Sequence, residues 1–227
     1  MKKLLAGIAD FRARVRPTYR ERFARLALGQ TPDCLFFACS DSRVVPNLFA
    51  STDPGDLFVV RNVGNLVPPC GPDGLSETDR SEGAAIEFAL ESLHVRDVVV
   101  CGHSECGAMK VLVEGQDLTG APNLGQWIEV GQRSLKRLET ERGFGAHLSP
   151  HNRLSQLNVL VQLEHLLGYP AVRARVEAGT LGLHGWWFDL SAAEVLSFAA
   201  ERGRFEPIGA TEQELAAFDE ETGSEAG

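Results

Sequence analysis

Short runs of consecutive apolar residues, each bounded by polar or turn-forming residues, mark the first half of the chain. The runs are Cys34–Cys39, Leu57–Val60 and Val98–Cys101. A strand that is apolar at every position is typical of a sheet covered on both faces, because a half-exposed strand alternates instead. The pattern therefore predicts three buried strands.

A helical pattern separates the second and third of these strands. It extends from about Ser81 to Leu93, with three-to-four spacing between apolar residues. Its predicted buried stripe consists of Ala84, Ala85, Phe88, Ala89 and Leu93. Because strands joined through helices pair in parallel with right-handed crossovers, we expect an α/β fold with a mostly parallel central sheet flanked by helices.

Periodicity also predicts elements at the two ends of the chain. An amphipathic helix, or two in tandem interrupted near Pro17, is expected from Leu4 to about Leu28. The second half predicts helices at about 124–141, 152–167 and 171–178, then a strand at 180–189 with a hairpin partner at 194–199. The segment 67–79, rich in Pro and Gly, is predicted to be a surface loop.

The whole chain, 1–227, is interpreted as one domain. Residues 1–30 would form a helical arm, and the acidic stretch 211–227, rich in small residues, would form a frayed tail. The length suffices to bury a large core without disulfide bonds, and neither a sharp change in composition nor an internal repeat marks a second domain.

Charge and composition exclude several classes of partner. Twenty-two Lys and Arg face 31 Asp and Glu, a net charge of −9, so the chain has no excess of cations for binding nucleic acid. Its apolar runs are far shorter than the about 20 residues that a membrane span requires. The N-terminal apolar stretch runs into a charged helical pattern rather than a cleavage site, which favours a cytoplasmic protein with reduced cysteines.

Soft metal ligands lie directly after two of the predicted strands. Cys39 ends the first strand, and His103 and Cys106 follow the third. Ligands gather at the carboxyl ends of strands in open parallel sheets, so these side chains are expected to converge. Two thiolates and one imidazole would hold one zinc ion per chain, with the fourth position left for catalysis.

Each of these residues also has a structural interpretation. Free cysteines often act as small buried apolar residues, and Cys34 and Cys101 are expected to do so. Because Cys101 shares a strand face with His103 at period-two spacing, it is the alternative third ligand. Cys70 receives no assignment.

Asp41 and Arg43 follow the first predicted ligand closely. A carboxylate two residues from Cys39 could accept a proton from metal-activated water, and Arg43 could hold that carboxylate ionised through two parallel hydrogen bonds. Two alternatives stay open at this point: a solvated charge pair in a turn, or an Asp41 that becomes the fourth metal ligand and closes the site.

The motifs Cys39-Ser40-Asp41-Ser42-Arg43 and His103-Ser104-Glu105-Cys106 resemble the two zinc motifs of β-class carbonic anhydrases. The likeness extends from about Phe11 to Asp189, and its plan is similar to the plant and cyanobacterial branch. It implies reversible hydration of carbon dioxide to bicarbonate and a proton by zinc-bound hydroxide. It assigns zinc to Cys39, His103 and Cys106, and orientation of the hydroxide to Asp41 held by Arg43.

The resemblance also implies a substrate pocket and a partner chain. Gln30 matches a glutamine that donates to a substrate oxygen, and Phe58 and Val63 match apolar wall positions. Phe88 stands where many relatives carry a pocket tyrosine. Because part of this wall comes from the neighbouring subunit in relatives, a homodimer or a higher even oligomer is implied.

The same predicted metal centre is also compatible with other functions. Relatives with the same fold hydrolyse carbon disulfide or carbonyl sulfide, and a zinc-stabilised assembly module would need no turnover. Such a module would be expected to lack Asp41 or Arg43, and both are present. Regulation by bicarbonate at a second site is not expected, because Phe36 replaces the tryptophan of that site, although Arg61 matches another of its residues.

Overall fold

A six-stranded sheet forms the centre of the fold in the computed structural model, which describes residues 1–209 and 211. The strands are β1 (Cys34–Cys39), β2 (Leu57–Asn62), β3 (Asp97–His103), β4 (Gly182–Asp189), β5 (Glu194–Ala199) and β6 (Arg204–Pro207). Their order is β2-β1-β3-β4-β5-β6, and the first four are parallel. This confirms the predicted α/β fold and the hairpin of β4 with β5.

Two helices come before β1 in the chain, and seven more follow it among the described residues. They are α1 (Lys2–Asp10), α2 (Arg16–Leu26), α3 (Pro46–Phe49), α4 (Ser81–Glu87), α5 (Gly107–Glu114), α6 (Pro122–Ile128), α7 (Gln132–Thr140), α8 (Pro150–Gly168) and α9 (Pro170–Glu177). π-helical segments extend α1 into α2 at Phe11–Val15 and extend α4 at Phe88–Ser92. None of the helices in the described part of the chain is long and apolar enough to cross a membrane.

Several predicted boundaries are wrong for local reasons. A 3₁₀ turn at Glu129–Gly131 divides the helix expected at 124–141. The spacing of the apolar residues continues across this turn, so the sequence does not indicate the break. The sequence analysis did not predict α3, α5 and β6, which are four to eight residues long. The loop at 67–79 begins inside the protein, since Val67 is fully buried. The frayed tail predicted at 211–227 lies outside the described residues apart from Thr211.

The helix between β2 and β3 buries a face that matches the predicted stripe only in part. Ala84 and Phe88 are exposed, whereas the buried positions are Glu82, Gly83, Ile86, Ala89 and Leu90. The Phe88 ring lies 5.8 Å from that of Phe58, measured between centroids. The helix therefore rests on the sheet through its aliphatic face and leaves an aromatic pair near the surface.

The two faces of the sheet carry separate apolar clusters. Leu35 and Phe37 of β1 point into the larger cluster, beneath α4 and α8. Phe36 points to the opposite face, where Cys34 and Cys101 are buried as predicted. This alternation along β1 is what sends Cys39, at the end of the strand, towards the face covered by helices.

The helical arm formed by α1, Phe11–Val15 and α2 contributes no buried residue to the rest of the chain. Its base is fixed by Arg22, which bonds Asp53 (3.0 Å) and the carbonyl of Pro54 (2.9 Å). Its apolar stripe is exposed and consists of Leu4, Leu5, Ile8, Phe11 and Val15. The arm is therefore an amphipathic helix whose apolar face has no cover within the described chain.

Candidate metal centre

Three buried side chains converge at the carboxyl ends of β1 and β3. Cys39 is the last residue of β1, His103 is the last of β3, and Cys106 immediately precedes α5. Their ligand atoms all lie within 4.8 Å of one another. The register explains this, because Ala38 is opposite Cys101 and the two strands therefore end at the same edge.

His103 is held in the tautomer that suits a metal ligand. Its Nδ1 lies 2.8 Å from the carbonyl oxygen of Ser104, so Nδ1 carries the hydrogen and donates it. Its Nε2 is buried and has no hydrogen-bond partner among the described residues. A buried ring nitrogen with a free lone pair costs free energy unless it binds something, and a metal ion satisfies it.

The two thiols are electrostatically coupled. A hydrogen bond from the Cys106 thiol lowers the pKa of Cys39, although burial opposes this. The same contact with Cys39, together with burial, raises the pKa of Cys106. The pair therefore shares a proton, and a divalent cation would stabilise both groups as thiolates.

A backbone amide is directed at one of the sulfurs. The N–H of Gly64, just after β2, donates to Cys39 Sγ over 3.4 Å. Gly64 has φ +86°, and a Cβ there would lie 3.0 Å from the Cβ of Ala108. Only glycine fits this position without strain, because both the backbone angle and the close approach of α5 disfavour a side chain.

Asp41 and Arg43 form a planar two-point pair beside this cluster. Arg43 donates from Nε to Asp41 Oδ1 (2.9 Å) and from Nη2 to Oδ2 (2.7 Å), and its backbone N–H donates to Oδ1 (3.0 Å). These bonds hold the pKa of the Asp41 carboxyl well below its usual range. The Asp41 side chain is only 17 % exposed. This disfavours the alternative interpretation of the pair as a solvated charge pair in a turn.

Arg61 binds the backbone on both sides of Ser40. Its Nε donates to the carbonyl of Cys39 (3.0 Å) and its Nη2 to the carbonyl of Asp41 (2.7 Å). These two bonds fix the loop that carries Cys39, the first predicted ligand, and the Asp41 carboxylate. Arg61 is thus a structural part of the centre, a role that the sequence did not reveal.

Glu105, which lies between His103 and Cys106 in the second motif, has an unusual backbone and many partners. Its φ is +59°, and its N–H donates to Asn152 Oδ1 over 2.8 Å. Its carboxylate bonds Lys110 and His151, and these bonds lower its pKa to about 2. Its carbonyl accepts from Arg43 (3.1 Å), so the two motif loops are joined.

The predicted pocket residues fall into two groups. Val63 follows Asn62, which is opposite Cys39 in the sheet, so Val63 lies near the cluster. Phe58 is opposite Leu35, roughly 13 Å along the strand from the level of Cys39. Phe88 contacts Phe58, and Gln30 is exposed before β1 begins. Gln30, Phe58 and Phe88 therefore lie towards the other end of the strands from the cysteine–histidine cluster of their own chain.

The remaining cysteines lie outside the cluster. Cys101 packs with Phe36 on the opposite face of the sheet, and Cys70 forms a β-bridge with Ser76 in the loop after Val67. The donor set is thus two sulfurs and one imidazole nitrogen, which suits zinc. Asp41 is not part of this three-residue cluster in the described structure.

The fold and the cluster together define an α/β protein with two cysteines and a histidine at the carboxyl edge of its sheet, a group that could hold a metal ion. The sequence model of the carbonic anhydrase family matches residues 34–195, and the chain belongs to that family.

Comparison with known proteins confirms the β class that the two motifs predict. A carbonic anhydrase of Synechococcus elongatus is 40 % identical over 201 residues, which cover 88 % of this chain and 72 % of that protein. The solved structure of the β-carbonic anhydrase CcaA is 36 % identical with a TM-score of 0.84, covering 91 % of this chain and 98 % of that one. A tetrameric β-carbonic anhydrase of Sordaria macrospora is 27 % identical with a TM-score of 0.73, covering 92 % and 98 %.

Proposed function

We propose that this chain catalyses the reversible hydration of carbon dioxide to bicarbonate and a proton, with one zinc ion held by Cys39, His103 and Cys106. The observation that carries the proposal is the buried cluster of two thiols and an Nε2 that has no hydrogen-bond partner among the described residues, beside an Asp41 carboxylate held by Arg43. Zinc bound there would supply a Lewis acid that brings the pKa of water towards neutrality. Three donors are one short of the four that zinc takes, which leaves a position for solvent.

Asp41 would orient the attacking water. Its Oδ1 already accepts two hydrogen bonds from Arg43, whereas its Oδ2 accepts one. Since each carboxylate oxygen has two lone pairs, Oδ2 keeps an acceptor position for the proton of that water. Arg43 prevents the carboxylate from rotating, and Arg61 fixes the backbone that carries it. The water's lone pair would then face the carbon of the substrate.

The substrate pocket would be completed by a second copy of the chain. Gln30, Phe58 and Phe88 lie at the wrong end of the strands to reach their own chain's metal ligands, yet they match pocket positions of the family. The exposed stripe of the helical arm provides an apolar surface for pairing. The first 26 residues carry eight Lys or Arg against two Asp or Glu, whereas the other 201 carry 14 against 29, so a basic arm would dock on an acidic body.

The oligomeric state checks this proposal. Sedimentation at micromolar concentration should give a dimer or a larger even oligomer, with no stable monomer. Introducing charge into the stripe, as in Ile8→Asp, should dissociate the assembly and reduce hydration. Arg12→Ala, which changes the arm at a polar position, is the control. An active, well-behaved monomer would contradict the shared pocket.

Mixing two impaired variants tests the sharing of the site more sharply. Asp41→Asn damages the site whose zinc is bound by the same chain. Gln30→Leu would instead damage the site whose zinc is bound by the neighbouring chain. If the two variants are unfolded and refolded together, each mixed dimer contains one intact site, so we expect recovery to about a quarter of wild-type activity. If Gln30 acted within its own chain, mixing would restore nothing.

Phe88 tests where the pocket lies. Phe88→Tyr restores the hydroxyl found in many relatives, so turnover should rise modestly or stay unchanged, since a single neutral hydrogen bond contributes only about 1 kcal/mol. Steady-state hydration rates, with kcat and KM separated, provide the measurement. A large loss of activity would place Phe88 outside the substrate pocket.

The function itself is tested by stopped-flow hydration of carbon dioxide between pH 6 and 9, paired with metal analysis. Turnover proportional to zinc content is the expected result. Turnover of carbon disulfide or carbonyl sulfide without carbon dioxide hydration would instead assign a hydrolase.

We propose the cytoplasm as the compartment, supported by five cysteines that are all free thiols. Cell fractionation provides the test, and recovery of the protein in an oxidising compartment would contradict the proposal.

A further inference from the structure

One face of α8 carries polar side chains where a core helix normally carries apolar ones. Ser155, Asn158, Gln162 and His165 are each at most 5 % exposed. Their spacing of three or four residues places them in one row. Because an unpaired buried polar group costs free energy, such a row requires partners. Those partners are the carbonyl of His103 and the loop after β2.

The upper part of the row binds the loop of the second motif. Ser155 Oγ donates to the carbonyl of His103 over 2.8 Å. Gly102 permits this approach, because a Cβ there would lie 2.8 Å from Val159 Cγ2 and 3.1 Å from the carbonyl oxygen of Ser155. Helix α8 therefore touches β3 directly behind the imidazole ligand.

The lower part of the row binds the loop after β2. Gln162 Oε1 accepts from the N–H of Val67 (2.8 Å), and His165 Nδ1 lies 2.8 Å from the carbonyl of the same residue. Asn158 lies between these contacts and those of Ser155. It is fully buried and makes three hydrogen bonds.

The amide of Asn158 is fixed in one orientation. Its Oδ1 accepts from Ser134 Oγ (2.9 Å) and from Gln162 Nε2 (2.9 Å). Its Nδ2 donates to the carbonyl of Gly64 (3.1 Å). Since rotating the amide by 180° would place its nitrogen against the donor Nε2 of Gln162, the network allows only this orientation.

We propose that Asn158 is a positioning residue for the sulfur ligand Cys39, an inference that rests on the proposed zinc function. Asn158 anchors the carbonyl of Gly64, and the N–H of the same glycine donates to Cys39 Sγ. Through this link a residue that touches neither metal nor substrate aims a hydrogen bond at the thiolate. Such a bond withdraws electron density from sulfur, so the sulfur neutralises less of the metal's charge.

Replacement of zinc by cobalt(II) makes the sulfur's electron density visible as a thiolate-to-cobalt charge-transfer band. In cobalt-loaded Asn158→Leu protein, the band should move to longer wavelength, because the sulfur lone pair is no longer stabilised by the N–H. Cobalt affinity should fall roughly 10-fold, as is typical when a residue that supports a metal ligand is lost. Asn158→Met, with a more adaptable side chain, provides the same test if the leucine variant does not fold.

Ser134→Ala is the matched control. It removes one buried hydrogen bond to Asn158 Oδ1 but leaves the bond from Nδ2 to Gly64, so its cobalt spectrum and affinity should match the wild type. An unchanged band and affinity in the Asn158 variants would overturn the proposal. An equal shift in Ser134→Ala would also overturn it, because it would indicate that the packing around the site is loosened in general. The spectrum decides this independently of turnover. If the wild type bound cobalt through thiolate but did not hydrate carbon dioxide, the proposed function would be contradicted and the inference about Asn158 would stand.

Discussion

Cys106→Ser protein is expected to purify without stoichiometric zinc and to hydrate carbon dioxide no faster than the uncatalysed reaction. The hydroxyl of serine stays protonated at neutral pH, so the site would lose one of two thiolates that offset the charge of the metal. The remaining Cys39 and His103 supply only two donors. Elemental analysis and stopped-flow hydration on the same preparation provide the measurement.

Cys101→Ser is the control for this variant. Cys101 is also fully buried, five residues from Cys106, and its thiol donates to the carbonyl of Gly102, a bond that a serine hydroxyl can replace. The Cys101 variant should keep both metal and activity. Loss of zinc from Cys101→Ser but not from Cys106→Ser would exchange the two cysteines in the proposed ligand set.

Asp41→Asn should retain zinc but lose activity by about 10²- to 10⁴-fold, the range typical of a residue that handles a proton in the transition state. The amide keeps the size of the carboxylate but presents an NH₂ group to the guanidinium of Arg43, so the two-point pair is broken. Because that pair holds the pKa of Asp41 below 3.8, the wild-type carboxylate stays ionised across the neutral range. The pH dependence of wild-type turnover near neutrality should therefore come from another group.

Two measurements separate this role from a structural one. Metal content should be unchanged in Asp41→Asn, which distinguishes it from the cysteine variant. Glu141→Gln, which removes a carboxylate paired with Arg137 far from the motifs in sequence, should behave as wild type. An Asp41→Asn protein with unchanged turnover would exclude the orienting role.

Much of the fold follows from local patterns in the sequence. The uninterrupted apolar runs of β1 and β3 indicate strands buried on both faces, and strands linked by helices pair in parallel. Once the sheet is parallel, Cys39 and His103 must meet at one edge. The convergence of the predicted ligands therefore depends on topology, which the sequence indicates well.

The features that the sequence did not predict depend on contacts between distant segments. The positive φ of Glu105 has no sequence signal, because glutamate rarely adopts it, and it is held by Asn152 of α8. The N–H of Gly64 reaches Cys39 only after β2 pairs with β1. The polar row on α8 did have a signal, since Ser155, Asn158 and Gln162 interrupt its apolar pattern, but their partners could not be identified.

The pocket residues show a different limit. Gln30, Phe58 and Phe88 are predicted to belong to the substrate pocket, yet they lie away from the cysteine–histidine cluster of their own chain. A motif identifies which residues act together without indicating whether one chain supplies all of them. The register of β2 with β1 separates Phe58, and with it the neighbouring Phe88, from Cys39, and Gln30 precedes β1.

Elemental analysis of the freshly purified protein tests the central claim most directly. We expect one zinc per chain, lost together with hydration activity on chelation and restored with it when zinc is added back. Protein that hydrates carbon dioxide while holding no stoichiometric transition metal would contradict the account.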